Sequence, residues 1–122
     1  MAKVTASNAV AIKAKSLDAQ GPVYAGTQLN VQTAEQLINR QSLAARDSVS
    51  LSSGGKLTNN GVIEAGVNAD NSRNATGDLA INSAAVSNTG SVLASRTLNA
   101  TAATVLDNQN GIVQAKTVTL NA

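Results

Sequence analysis

Side chains able to do acid–base, nucleophilic or metal chemistry are few in this chain. Seven acidic and nine basic residues are scattered over 122 positions, and there is no histidine or cysteine. Without Cys there are no disulfides or thiolate metal ligands, and without His or Cys the familiar nucleophile–base pairs are missing. Asn68, Asp70, Ser72 and Asn74 alternate like the start of a calcium loop. Arg73 replaces the turn glycine of such a loop, however, and Leu79 stands where its bidentate glutamate belongs. Asp18 and Asp107 fall at equivalent repeat positions at opposite ends of the chain, and Glu35 and Glu64 fall in different parts of the repeat, so no two carboxylates are expected to share a proton. Arg46, Arg96 and Lys116 come near one corner and read as a solvated column. Tyr24, the only aromatic, makes no stacking platform for single-stranded nucleic acid, and a formal charge of +2 built from dispersed groups does not argue for such a partner. The expectation is a non-enzyme with no cofactor and no metal.

One polar series is ordered. Asn39, Asn59, Asn88 and Asn108 each stand two residues after an apolar lead residue. They belong to a recurring phrase, clearest in Leu57-Thr-Asn59-Asn-Gly61-Val-Ile63-Glu-Ala65, with relatives beginning at Leu17, Leu37, Val86 and Leu106. The lead positions 17, 37, 57, 86 and 106 are separated by 20, 20, 29 and 20 residues. A fixed period takes precedence over local propensity. Such a row reads either as a polar binding surface or as an internal ladder. The ladder is favoured, because stacked amides bond to one another and to turn backbone. The first phrase carries Ala19 at this position, so the ladder should stop short of the N-terminal end.

Each phrase follows an alternating segment: Val10-Ala-Ile12-Lys-Ala14, Leu29-Asn-Val31-Gln-Thr33, Val49-Ser-Leu51-Ser-Ser53, Leu79-Ala-Ile81-Asn-Ser83 and Leu98-Asn-Ala100-Thr-Ala102, with a last one at Val118-Thr-Leu120-Asn-Ala122. A period of two is strand periodicity. A unit of three short strands cannot bury its apolar face alone but can do so stacked on copies of itself. The expected fold is therefore all-β: a parallel β-helix of about 20 residues per coil with three short strands in each. Five full coils and partial coils at both ends would make a rod about 25–30 Å long at about 4.8 Å per coil. Corners are expected at Lys15-Ser16, Ala34-Glu35-Gln36, Ser53-Gly54-Gly55-Lys56, Ala84-Ala85 and Ala103-Thr104, with glycine admitting positive φ. Val4-Thr-Ala6 reads as the third strand of a coil whose beginning is missing. Together with the unfinished last coil, it suggests a single segment, 1–122, cut from a longer rod, with Met1 added as a start.

The one break in the period follows Ala65. Leu79 comes fourteen positions after it, where three or four suffice elsewhere. About ten residues, 67–76, are inserted, and their composition is that of a surface loop. Asp70, Asn71, Arg73 and Asn74 on this loop are candidate partner contacts. Asn99 and Thr101 are a second candidate pair, on an outward face that is polar and nearly uncharged. That face lacks the regular Thr-x-Thr array of an ice-binding surface. On the third-strand face, Tyr24, Val62 and Leu93 are expected to be exposed and scattered. No run approaches a membrane helix, and no signal peptide opens the chain.

The phrase Leu-x-Asn-(x)-x-Gly-x-Ile/Val-x-Ala, preceded by Leu-x-Val-x-Ser/Ala, resembles the haemagglutinin repeats of filamentous haemagglutinin and of contact-dependent-inhibition exoproteins. The closest copy runs from Leu106 to Ala115. Leu37–Ala45 lacks the glycine and Leu17–Ala25 the asparagine, so altered turns are expected there. The resemblance implies a right-handed parallel β-helix within a two-partner-secretion exoprotein. Such a protein is exported through an outer-membrane β-barrel partner and displayed outside a Gram-negative cell. The secretion domain and any toxin of that family are not visible in this sequence. What it implies here is shaft: a spacer that carries adhesive or toxin regions outward and folds coil on coil during export. A module binding a target-cell receptor or glycan is the second reading, and an enzyme acting on acidic polysaccharide the third. End-to-end self-association follows from the unpaired strand edges expected at both ends.

Overall fold

The structure, a computed structural model, describes residues 3–122, so the reading of Met1 lies outside the described residues. Among the described residues there are fourteen strands and no helix. A first face carries β2 (Val10–Ala14), β5 (Gln28–Thr33), β8 (Ser48–Asn59), β10 (Asp78–Asn88), β12 (Thr97–Asp107) and β14 (Thr117–Asn121). A second face begins with β3 (Leu17–Ala19) and β6 (Leu37–Asn39) and continues in the C-terminal parts of β8, β10 and β12. The third face holds β1 (Val4–Ala6), β4 (Val23–Ala25), β7 (Ser42–Ala45), β9 (Val62–Ala65), β11 (Ser91–Ala94) and β13 (Ile112–Gln114). Each strand pairs in parallel with its counterpart one coil away, giving a β-solenoid.

Register holds the apolar residues in columns. On the first face Val10, Leu29, Val49, Leu79, Leu98 and Val118 lie in line. Leu17, Leu37, Leu57, Val86 and Leu106 form the column of the second face. Val4, Val23, Leu43, Ile63, Val92 and Val113 form that of the third. Leu37, Leu43, Leu57 and Ile63 are fully buried. A slip of one residue would turn these columns outward, which is why the period is kept. Alanine stands at 25, 45, 65 and 94, buried where the third face turns into the next coil.

The corners differ from expectation in two respects. Ser53-Gly54-Gly55-Lys56, Ala84-Ala85 and Ala103-Thr104 are not breaks: β8, β10 and β12 pass through them unbroken. Coil spacing is adjusted by a register shift between Ser83 and Ala85, where one coil has a residue fewer than its neighbours. The corner is held by a column of buried hydroxyls. Thr33 and Ser53 both donate to the Glu35 carbonyl, at 3.0 and 2.6 Å, and Ser83 donates to the Gly55 carbonyl at 2.9 Å. Nor does glycine serve positive φ at these corners. A Cβ on Gly54 would lie 2.3 Å from the Ala34 carbonyl oxygen of the neighbouring coil, so close coil approach demands glycine there. Positive φ occurs instead at Gly66, Asn71 and Asn110. Asn110 absorbs the extra residue of the last turn. The coils lacking Gly or Asn keep full register, Leu37 with Leu57 and Ala19 with Asn39.

Candidate functional site

The asparagine row is an internal ladder. Asn39 Nδ2 donates to Asn59 Oδ1 at 2.8 Å, Asn59 Nδ2 to Asn88 Oδ1 at 2.8 Å, and Asn88 Nδ2 to Asn108 Oδ1 at 2.7 Å. The second amide hydrogen of each donor reaches a third-face carbonyl one coil on: Val62, Ser91 and Ile112 at 2.9, 3.0 and 3.1 Å. Asn39, Asn59 and Asn88 are buried, so these bonds form away from competing water. Asn39 Oδ1 has no donor, because its neighbour in the row is Ala19. Asn39, Asn59 and Asn88 face inward, and Asn108, the last rung, is half-buried.

The insertion folds into a small hairpin laid over the third face. Val67 and Arg73 form an antiparallel bridge, and Asn68 N donates to the Ser72 carbonyl at 2.8 Å. Asn71 takes the left-handed tip with φ of 69°. Asp70 Oδ1 accepts from the Ser72 amide at 3.0 Å and hydroxyl at 2.6 Å, bonds that hold its carboxyl below the ordinary value. The alternating polar residues that looked like a cation loop thus bond to one another. Arg73 forks onto Glu64, Nε to Oε2 at 2.5 Å and Nη2 to Oε1 at 2.9 Å, and also donates to the Asn71 carbonyl. Asn74 Nδ2 donates to the Arg46 carbonyl at 2.8 Å, and Asn74 Oδ1 accepts from the Thr76 amide at 3.0 Å. Arg73 and Asn74, expected as contacts, brace the hairpin; Arg73 nevertheless stays exposed, as do Asp70 and Asn71 at the tip.

This cover alters the third face. Glu64, outward by parity, is only 8% exposed. Tyr24, Val62 and Leu93 are half-buried rather than exposed. The Tyr24 hydroxyl donates to the Val67 carbonyl at 2.8 Å across 43 residues of sequence, and burial pushes the phenol pKa up. A groove of about 780 Å³ opens between the hairpin and the early coils, lined by Thr5, Ser7, Tyr24, Arg46, Asn68 and Asp70. A second, of about 430 Å³, lies on the other flank beside Glu64, Arg73, Leu93 and Lys116. Sequence reasoning missed Tyr24 and Arg46 as groove residues. The available signal was the row Tyr24, Ala44, Glu64, where small Ala44 leaves room beside the coil that opens into the insertion.

Two of the three basic corner residues, Arg46 and Arg96, are paired and not merely solvated, while Lys116 is exposed. Arg46 meets Asp47 at 3.1 Å, and Arg96 forks onto Asp78. Arg96, aided by the Thr97 hydroxyl at 2.7 Å, holds the Asp78 carboxyl far below the usual aspartate range. Arg40 pairs with Asp18 at 2.8 Å on the second face. Asn99 and Thr101 lie outward on β12, exposed, in rows with Ala80 and Asn82. They are on a different face from the hairpin, so the two candidate groups do not form one site. No helix of the described residues is long and apolar enough to cross a membrane. Compared with protein-family models, curated proteins and solved structures, the chain matches none.

Proposed function

We propose that this chain is a length of shaft: an extracellular spacer of a large secreted bacterial exoprotein, holding adhesive or toxin-carrying regions away from the cell. The observation that carries the reading is where the polar chemistry goes. The ladder, the corner hydroxyls, Glu64, Arg73 and Asn74 are all spent on joining coil to coil or hairpin to coil. Columns run unbroken through every coil, so load along the axis is shared by repeated inter-strand hydrogen bonds. The likeness of the repeat phrase to haemagglutinin repeats supports export by two-partner secretion and display on a Gram-negative surface.

The test is a rigid-ruler measurement. A small globular domain is fused to each end, and the distance between the two is measured by paired spin labels. A narrow distribution that lengthens by about 4.8 Å for each duplicated coil supports a spacer. A broad distribution, insensitive to duplication, overturns it.

A second reading is favoured by the groove under the hairpin, which brings the only aromatic ring together with Arg46, Asn68 and Asp70. An aromatic face with a few polar groups suits a saccharide on a target cell. Binding on a glycan array that Tyr24→Ala and Asp70→Asn both abolish, with the fold intact by circular dichroism, would support it. Binding unchanged in both variants would exclude this groove.

A further inference from the structure

Two stretches of the chain carry the triplet Asn-x-Thr, the acceptor of an N-linked sugar. They are Asn74-Ala75-Thr76, at the base of the hairpin, and Asn99-Ala100-Thr101, on β12. Folding closes the first of these. Asn74 Nδ2 donates both its hydrogens, to the Arg46 carbonyl at 2.8 Å and to Asn68 Oδ1 at 3.0 Å. Its Oδ1 accepts from the Thr76 amide at 3.0 Å and from the Thr76 hydroxyl at 3.3 Å. A sugar on Nδ2 would leave one hydrogen for two acceptors and lift the hairpin from the third face. The second triplet stays open. Ala100 points inward and is 4% exposed, so Asn99 and Thr101 both point outward, roughly 6.7 Å apart along the strand. Both are exposed, and neither makes a side-chain hydrogen bond among the described residues. Across the ladder Asn99 has the small neighbours Ala80 and Thr119, so a sugar ring can lie over them without displacing a side chain. The equivalent places in other coils do not complete the triplet: Asn30 is followed two places on by Gln32, and Ser50, Ala80 and Thr119 replace the asparagine.

We infer that Asn99 carries an N-linked sugar in the folded protein and that Asn74 does not. Asn99 Nδ2 attacks C1 of a sugar activated as a glycosyl pyrophosphate. The C1–Nδ2 bond forms as the C1–O bond breaks, the pyrophosphate ester leaves with that electron pair, and one amide proton passes to a base of the transferase. In the finished stack β12 is paired on both sides, with β10 and β14, so residues 97–101 cannot bend into a transferase. The step therefore precedes closure of this coil, and folding keeps the chains whose sugar it can seat. The sugar has a physical use on this face. The two outward rows, one through Asn30, Ser50, Ala80 and Asn99 and one through Gln32, Ser52, Asn82 and Thr101, hold a single charge, Lys13. A flat sheet face without charge has little to keep it from packing on another such face, and a bulky hydrated group standing on it supplies that separation. The inference is independent of the spacer reading.

The test is mass spectrometry of the chain recovered folded from the cells that make it. Trypsin cuts after Arg73, Arg96 and Lys116, which puts Asn74 in the peptide 74–96 and Asn99 in the peptide 97–116. Peptide 97–116 should be heavier by one or more sugar residues, localised to Asn99 by fragmentation, and 74–96 should be unmodified. Additions in steps of one sugar would identify a nucleotide-sugar donor, and one fixed oligosaccharide a lipid-linked donor. An unmodified 97–116 overturns the inference, and so does a sugar on Asn74 of the folded chain. Whether the fold seats a sugar is measured separately. The chain has no cysteine, so Asn99→Cys and Asn74→Cys each offer one thiol for a haloacetyl hexose attached in urea before refolding. The conjugate at position 99 should keep the urea midpoint of its unconjugated form, and the conjugate at position 74 should fall below its own. Equal responses at the two positions, or a greater loss at 99, overturn the inference.

Discussion

Replacing Asn59 by alanine should cost far more stability than replacing Asn39, although both side chains are 0% exposed and lose the same atoms. The difference lies in what each leaves behind. Without Asn39, Asn59 Oδ1 still accepts from the Gly61 amide at 3.3 Å, and no other ladder group is stranded. Without Asn59, Asn88 Oδ1 loses the one donor it has, an amide hydrogen of Asn39 loses its acceptor, and the half-buried Gly61 amide loses the acceptor it shared. Each variant also takes a side-chain donor from one carbonyl, Val62 or Ser91, and that loss cancels in the comparison. Two buried polar groups left unpaired, at about 1–3 kcal/mol each, put the gap at about 2–6 kcal/mol. Urea unfolding followed by circular dichroism, with the slope checked for constancy, gives both values in one assay. Equal losses, or a larger loss for Asn39→Ala, would show that burial of the amide matters and the chain of bonds does not.

Three further outcomes follow from the same geometry. Ala19→Asn supplies the donor that Asn39 Oδ1 lacks and should raise the urea midpoint, a gain in unfolding free energy of about 1 kcal/mol if the added rung repeats those above it. Arg73→Ala leaves the Glu64 carboxylate under the hairpin without its partner; a cost of roughly 1–2 kcal/mol and new protease cleavage within 67–76 are expected. For acid sensitivity the group to watch is Asp78, whose folded pKa lies below the value of about 3.9 it has when unfolded. Its contribution is therefore complete above about pH 4 and is lost as pH falls toward the folded value, so Asp78→Asn should narrow the gap between urea midpoints at pH 7 and pH 2.5.

The coil was legible because two independent periods agree. Alternation marks Leu29-Asn-Val31 as a strand, and the spacing of 20 residues sets Leu37 over Leu17. The Asn ladder was legible for the same reason, down to its stop at Ala19. Counting residues between Ala65 and Leu79 located the insertion, but nothing local says where an insertion will lie. Its anchors are Tyr24, 43 residues before Val67, and Glu64, whose outward parity argued for exposure. Corner continuity was lost to composition: Gly54-Gly55 looks like a break, yet the strand passes through because the small residues let the coils approach closely. Thr33, Ser53 and Ser83 share the inward parity of their strands, so the hydroxyl column was readable from the alternation already used for Val31 and Leu51.

At the neck of the insertion, Gly66 and Gly77 pass back to back, so close that a Cβ on Gly77 would sit 2.3 Å from the Gly66 amide nitrogen. The coil on either side ignores the detour: Leu79 aligns with Val49 as though the chain had gone directly. Entry and exit of the excursion are thus already brought together, and lengthening it adds only loop-closure entropy, about 0.6 kcal/mol for each doubling. The corner is a side branch with its junction built in, where a graft of domain size can be carried without moving a single rung of the stem.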